Sequence, residues 1–258
     1  MNSKIKKIIL KKNKTKIVSL TAYSKNIAKI LDKSCDIVLV GDSMANVLYA
    51  HNNTHKITLN NIIEHTLSVQ KGIKKSLLVV DMPKGTYSSS NKALKNAKLI
   101  MKKTKCDAIK IENYKGNFRI IKKLVDKKIP VMAHIGYTPQ FMNKFKLEGK
   151  NVKEIKDLLR IARLIEKSGA FSIVLECITP SAAKTITNSL RIPTIGIGSS
   201  SHCDGQILVT DDMLGISGFY PRFVKKYADL NRIIEQATKK YARDVKLNNF
   251  PSKKNFLK

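Results

Sequence analysis

Long apolar runs are missing. No stretch approaches the roughly 18 residues that a membrane-crossing helix needs, so no membrane partner is expected. The basic start, Met1 to Lys16, lacks the apolar centre of a secretory signal and reads as a solvated lead-in to a first strand. Cysteine is sparse: Cys35, Cys106, Cys177 and Cys203 show neither pairing nor zinc-ligand spacing, which fits reduced thiols in a cytoplasmic protein. Acids are few, 19 against 49 basic residues, for a formal net charge of +30. Arginine is scarce too, with seven of those 49. Bidentate contacts to phosphates and bases favour arginine, and the lysines run evenly along the chain, so a nucleic-acid partner is not expected. The joint excess of lysine, isoleucine and asparagine resembles the codon bias of an AT-rich genome, placed on solvated faces. That charge should still attract anionic metabolites. No linker marks a second domain, and no cofactor-type glycine fingerprint follows the first strand.

What is present is a repeated pattern. Asp36-Ile37-Val38-Leu39-Val40 ends in Gly41-Asp42-Ser43, a run that suits a strand buried on both faces. The pattern returns in Leu77 to Asp81, Ala108 to Glu112 and Ser172 to Glu176, each closing on an acid. Further strands are expected at Lys16 to Leu20, Pro130 to Gly136, Pro193 to Gly198 and Gln206 to Thr210. Helical spacing of apolar residues separates them: Ile27 to Leu31, Ile62 to Val69 behind an N-cap at Thr58, Lys92 to Thr104, Asn117 to Lys128, Val152 to Ser168 and Ala182 to Ile186. Phe223, Tyr227, Leu230, Ile234, Ala237, Tyr241 and Val245 mark a long C-terminal helix, and Phe250 to Lys258 reads as a frayed tail. Eight strands alternating with helices require a parallel sheet with right-handed crossovers. The expectation is one α/β domain over residues 1–258, a (β/α)8 barrel of the TIM type. Its site would lie at the C-terminal strand ends, where Asp42, Asp81, Glu112, His134 and Glu176 fall.

Three carboxylates from neighbouring strands, Asp42, Asp81 and Glu112, repel one another unless a cation sits among them. Mg²⁺ suits them, since it takes carboxylates together with water or substrate oxygens. An acid after a strand can also cap the next helix. Lys110, two residues before Glu112, faces the same side of its strand. On the lumen side it would serve a substrate carboxylate or keto oxygen, whereas a one-residue change of register would turn it outward. Glu176, roughly across the lumen, is free to act as a base. His134 is either a donor to substrate or a satisfied core histidine. His51 and His55 stand four apart without a third ligand, and Gly196-Ile197-Gly198 is too short to specify phosphate.

Six motifs in order carry a resemblance: Val40-Gly41-Asp42-Ser43, Asp81-Met82-Pro83, Lys110-Ile111-Glu112, His134-Ile135-Gly136-Tyr137-Thr138-Pro139-Gln140, Leu175-Glu176-Cys177, and Gly196-Ile197-Gly198 with Asp204 to Val209. From about Leu20 to Phe223 the chain resembles the ketopantoate (3-methyl-2-oxobutanoate) hydroxymethyltransferase family. The resemblance implies a barrel of the phosphoenolpyruvate/pyruvate superfamily and a homo-oligomer, decameric in many bacteria. It implies transfer of a hydroxymethyl group from 5,10-methylenetetrahydrofolate to 3-methyl-2-oxobutanoate, the first committed step of pantothenate synthesis. It further implies Mg²⁺ on Asp42, Asp81 and Glu112, directly or through water. The keto acid would lie on Asp42, Ser43, Asp81 and Lys110, with Glu176 as proton acceptor. A related barrel that makes or breaks C–C or P–C bonds on 2-oxo acids is the alternative. Departures from the family pattern (Lys84, Asn52, Ser199-Ser200 and the shortened stretch Asn143 to Gly149) fall in expected loops and bear on folate handling more than on proton abstraction.

Overall fold

The computed structural model describes residues 2–113, 116–142, 144–218 and 220–256. The chain divides into two compact units, Met1–Val209 and Thr210–Lys258. The first holds α1 (Ser3–Leu10), β1 (Ile17–Thr21), α2 (Lys25–Leu31), β2 (Ile37–Val40), α3 (Met44–Val47), α4 (Leu59–Gln70), β3 (Leu77–Asp81), α5 (Ser90–Thr104), β4 (Ala108–Glu112), α6 (Phe118–Asp126), β5 (Val131–Gly136), α7 (Val152–Lys167), β6 (Ser172–Glu176), α8 (Pro180–Ser189), β7 (Thr194–Ile197) and β8 (Gly205–Leu208). All eight strands are parallel and in sequence order, and β8 pairs back to β1, closing the barrel. The expected fold class is the one observed.

Period-two alternation sorts each strand between two cores. Outward residues such as Val38, Val80, Ile109, Ala133 and Leu175 pack beneath the helices. Inward residues Ile17, Ile37, Leu39, Leu77, Val79, Ala108, Met132, Val174, Ile195 and Ile207 fill the lumen floor. Every residue of β2, β3 and β4 is buried, which explains why those strands read as continuous apolar runs. Local chemistry sets the helix starts: Thr58 and Asn61 form a reciprocal capping box on α4, Ser89 caps α5 and Asn151 caps α7.

The first residues depart from the solvated lead-in expected of them. Asn2 caps α1, whose Ile5 and Ile8 are buried in the lumen-floor cluster. Three lysines around this plug pair with acids at strand starts: Lys4 with Asp107 at 3.2 Å, Lys11 with Asp36 at 2.6 Å and Lys12 with Asp204 at 2.8 Å. The run looked solvated because lysine fills all but one face of a two-turn helix. Asp204 also accepts from Thr194 N at 2.8 Å, so the Asp-Gly pair of the last motif joins floor and plug.

The second unit contains α9 (Thr210–Met213) and α10 (Leu230–Lys246). Asp229 caps α10, so that helix starts later than the apolar spacing from Phe223 predicts; Phe223 and Tyr227 precede it. Ile233, Ile234, Tyr241 and Val245 are exposed on α10. Met1, Leu257 and Lys258 lie outside the described residues, as does Asn143 of the shortened loop. Among the described residues no helix is long and apolar enough to cross a membrane.

Candidate active site at the C-terminal strand ends

The alternation that builds the floor also aims the site. Asp81 follows Leu77 and Val79 on the inward parity of β3; Lys110 and Glu112 follow Ala108 on β4; His134 follows Met132 on β5; and Glu176 follows Val174 on β6. The structure therefore sets Lys110 inward and removes the outward alternative. Pairing register brings Asp81 opposite Lys110 and Glu112 opposite His134. Gly41 holds the inward position above Leu39, where a Cβ would come within 3.0 Å of Ser43 Oγ and 3.4 Å of Asp81 Oδ2. The missing side chain leaves room for Asp42 to reach in from the turn.

Hydrogen bonds weave these groups together. Lys110 Nζ donates to Asp81 Oδ1 at 2.8 Å, and the Asp42 backbone N–H donates to Asp81 Oδ2 at 3.1 Å. Gln140 Nε2 donates to Asp42 Oδ2 at 2.8 Å, while the Gln140 backbone N–H donates to Glu112 Oε2 at 3.1 Å. Ser43 Oγ shares a hydrogen bond of 2.8 Å with Tyr23 OH and does not cap α3. Asp81 and Glu112 likewise leave the next helix alone, since Ser89 caps α5 and their own oxygens take the bonds just given. The capping alternative is set aside for these acids.

His134 stands between two carboxylates, with Nδ1 3.7 Å from Glu112 Oε1 and Nε2 3.1 Å from Glu176 Oε2. The Nε2 contact with Glu176 pulls the imidazole's pKa up against burial, while among the described residues Nδ1 has no hydrogen-bond partner. Glu176 is expected across the lumen, and β6 does stand opposite β2 in the ring. Its closest polar neighbour in the site is nonetheless His134, on the adjacent strand. Its side chain is 18 % exposed, against 1 % for Glu112 and 3 % for Asp81, so it is the acid open to a ligand.

The electrostatics are those of a site short of positive charge. Burial, then the charge of Asp81, push the Asp42 carboxyl up to about 7, against the pull of Lys110 and Gln140. Burial and the charge of Asp42 drive Glu112 well above the carboxylate range. Lys110 is pulled down by burial but held above its ordinary value by Asp81, Asp42 and Glu112. Burial and then the Lys110 charge lower His134, so its imidazole is neutral near pH 7.

A divalent cation fits this donor set. Three buried acids face one ammonium, and among the described residues Glu112 Oε1 is buried with no hydrogen-bond partner. Among the described residues no three His, Cys, Asp or Glu side chains converge as a ready-made ligand cage, so a cation here would draw on one or two carboxylates together with water or substrate oxygens.

Other sequence candidates resolve differently. His51 stacks on Tyr49 at 5.8 Å, while His55 Nε2 lies 3.1 Å from Pro139 O and 3.2 Å from Lys84 Nζ, so the two histidines serve different contacts. Gly196 packs against Cys203 and Gln206, where a Cβ would meet both at 3.1 Å. Tyr23 and Tyr87 were not legible as site residues. Gln140 appeared only as a letter in a motif, and nothing in the sequence signalled that its amide would be buried between acids.

The sequence profile of the ketopantoate hydroxymethyltransferase family matches residues 2–253. A protein of Pelagibacter ubique (strain HTCC1062) named 3-methyl-2-oxobutanoate hydroxymethyltransferase is 56 % identical over 254 residues, covering 98 % of this chain and 99 % of that one. One of the same name from Anaplasma marginale (strain St. Maries) is 46 % identical over 244 residues, covering 93 % and 88 %. Among solved structures, 2,3-dimethylmalate lyase, described as a PEP mutase/isocitrate lyase superfamily member, superposes with a TM-score of 0.62 at 14 % identity over 98 % of this chain and 90 % of that one, a likeness of fold. On sequence matched from end to end and a barrel with its acids at the expected strand tips, this chain belongs to the ketopantoate hydroxymethyltransferase family.

Proposed function

We propose that this protein transfers a hydroxymethyl group from 5,10-methylenetetrahydrofolate to 3-methyl-2-oxobutanoate, giving 2-dehydropantoate, with Glu176 as the base. The observation that carries the reading is the division of labour among the acids. Asp42, Asp81 and Glu112 are buried and bonded, while Glu176 is open and held beside a neutral imidazole.

Asp42, Asp81 and Glu112 are the side chains that would hold Mg²⁺, directly or through water. When bound, the ion supplies Lewis-acid stabilisation to the carboxylate and keto oxygens of the 2-oxo acid, which acidifies its C3 proton. Ser43 Oγ, hydrogen-bonded to Tyr23 OH at 2.8 Å, would donate to the substrate carboxylate. Lys110 keeps a positive charge close to the oxygen that becomes negative, in a buried setting where that charge counts for more than in water. Glu176, the most exposed of the acids and 3.1 Å from His134 Nε2, takes the C3 proton. Water adds to the folate methylene carbon, whose two C–N bonds break as tetrahydrofolate leaves with water's two protons on its nitrogens, giving a carbon at the formaldehyde level. The C3–H electron pair forms the new C–C bond to that carbon as its C=O π bond opens, and the proton held on Glu176 passes to the resulting alkoxide. A homo-oligomer and a cytoplasmic location belong to the same proposal; the exposed apolar residues of α10 are consistent with self-association.

Proton–deuterium exchange at C3 of 3-methyl-2-oxobutanoate, followed by NMR without folate, tests the first half-reaction. Exchange that depends on Mg²⁺ is expected; its absence with Mg²⁺ present would sink the proposal.

A further inference from the structure

Gln140 lies four residues beyond β5, in a turn closed by Phe141 N and Met142 N on Thr138 O, each at 2.9 Å. Gly136 launches that turn with φ +93°, where a Cβ would come within 2.1 Å of Glu176 O. Gln140 is 1 % exposed, and its polar groups are engaged. Besides Asp42 Oδ2, Nε2 donates to Met82 O at 3.0 Å. Oε1 accepts from Tyr87 OH at 2.5 Å. The backbone N–H holds Glu112 Oε2. One residue thus grips an acid after β2 and an acid of β4 while anchored to the loop after β3.

The amide could present either end to Asp42. Turned over, Oε1 would face both a carboxylate oxygen and the Met82 carbonyl, two acceptors against an acceptor. Met82 O, an acceptor only, selects the orientation in which Nε2 faces Asp42, and Tyr87 OH completes it by donating to Oε1. Tyr87 is itself fixed, 2 % exposed and edge-on to Phe141 at 6.1 Å between ring centres. The phenol's side-chain hydrogen bond is to the Gln140 amide, and it also lies against the Glu112 backbone.

We propose that Gln140 is a positioning residue that sets the spacing and orientation of Asp42 and Glu112 for a divalent cation, and that Tyr87 acts through it by fixing the amide. The inference rests on the reading of Asp42 and Glu112 as cation-holding groups. Groups that orient metal ligands from behind typically carry a 10- to 100-fold share of affinity.

The test is calorimetric titration of the full-length protein with Mg²⁺ alone, without substrates, for Gln140→Leu, Tyr87→Phe, the double variant and Asp42→Asn. The expected results are a loss of about 10- to 100-fold for Gln140→Leu and a smaller one, about three- to tenfold, for Tyr87→Phe. The double variant should fall within about twofold of Gln140→Leu, because two residues acting through one amide are not additive. A merely structural role would lower the melting temperature and leave the affinity of the folded protein unchanged. Wild-type affinity in Gln140→Leu, with binding lost in Asp42→Asn, overturns the role given to Gln140. Additive losses overturn the claim that Tyr87 works through it. Wild-type affinity in Asp42→Asn overturns the site reading beneath both. Should Gln140→Leu fail to fold, Tyr87→Phe decides: folded protein with unchanged affinity refutes the proposal.

Discussion

Replacing Glu176 by glutamine separates binding from proton transfer. The substitution keeps size and shape and can preserve a contact with His134 Nε2, 3.1 Å away in the native site. It removes the basic oxygen pair and one negative charge. A positioned general base contributes about 10²- to 10⁴-fold, so C3 exchange should fall by that factor, about 3–5 kcal/mol at 1.36 kcal/mol per tenfold. Cation affinity has a different expectation. Asp42 and Glu112 both feel the Glu176 charge, but it is a lesser cause than burial for each. Removing it eases their ionisation slightly, so Mg²⁺ affinity should stay within about threefold of wild type or rise. The assay is C3 deuteration by NMR without folate, beside Mg²⁺ titration of the same preparation. Exchange in the variant within about threefold of wild type would refute Glu176 as the base. Loss of exchange together with loss of cation binding would move Glu176 into the cation site instead.

Cation affinity should rise with pH through about 7, since Asp42 sits near 7 and Glu112 above the carboxylate range, and both bind best ionised. Titrations at pH 6 and pH 8 should differ by about tenfold from Asp42 alone, and by up to about a hundredfold for each proton released across the whole interval, and equal affinities would contradict the assigned charge states. Lys110→Met leaves Asp81 buried without its ion pair, and breaking such a pair costs about 3–5 kcal/mol; denaturant unfolding of the cation-free protein should show that loss, and a neutral result would contradict the reading of Lys110 and Asp81 as a buried ion pair. Ile8→Ala should cost about 2–4 kcal/mol with C3 exchange unchanged, because Ile8 sits in the lumen floor, away from the strand tips. A cost under about 0.5 kcal/mol would return the first helix to the role of a solvated lead-in.

The barrel was legible because strands such as β2, β3 and β4 are buried on both faces and four of the eight close on or just before an acid, with helical spacing between strands. Lys110 and Glu112 were assigned to one face by parity alone, and the floor residues Ala108 and Met132 show why that parity points inward. The plug helix was hidden. Its two buried isoleucines sit among lysines, and only closure of the barrel creates the floor that receives them. The start of α10 was misplaced because apolar spacing continues upstream of Asp229, which ends the stripe by capping it. Gln140, Tyr87 and Tyr23 could not be singled out, because a hydrogen bond between residues 140 and 42 or 140 and 87 leaves no local mark on composition or spacing. The acids advertise themselves by lying at strand ends; the residues that hold them arrive from loops.

As proposed, these strand-tip residues form a Mg²⁺-dependent site that joins a one-carbon unit to a 2-oxo acid. The most direct measurement is formation of 2-dehydropantoate from 3-methyl-2-oxobutanoate and 5,10-methylenetetrahydrofolate, with the folate or Mg²⁺ omitted in turn. Product that requires both is the predicted result. No product from the complete mixture, or product formed equally well without the folate, would contradict it.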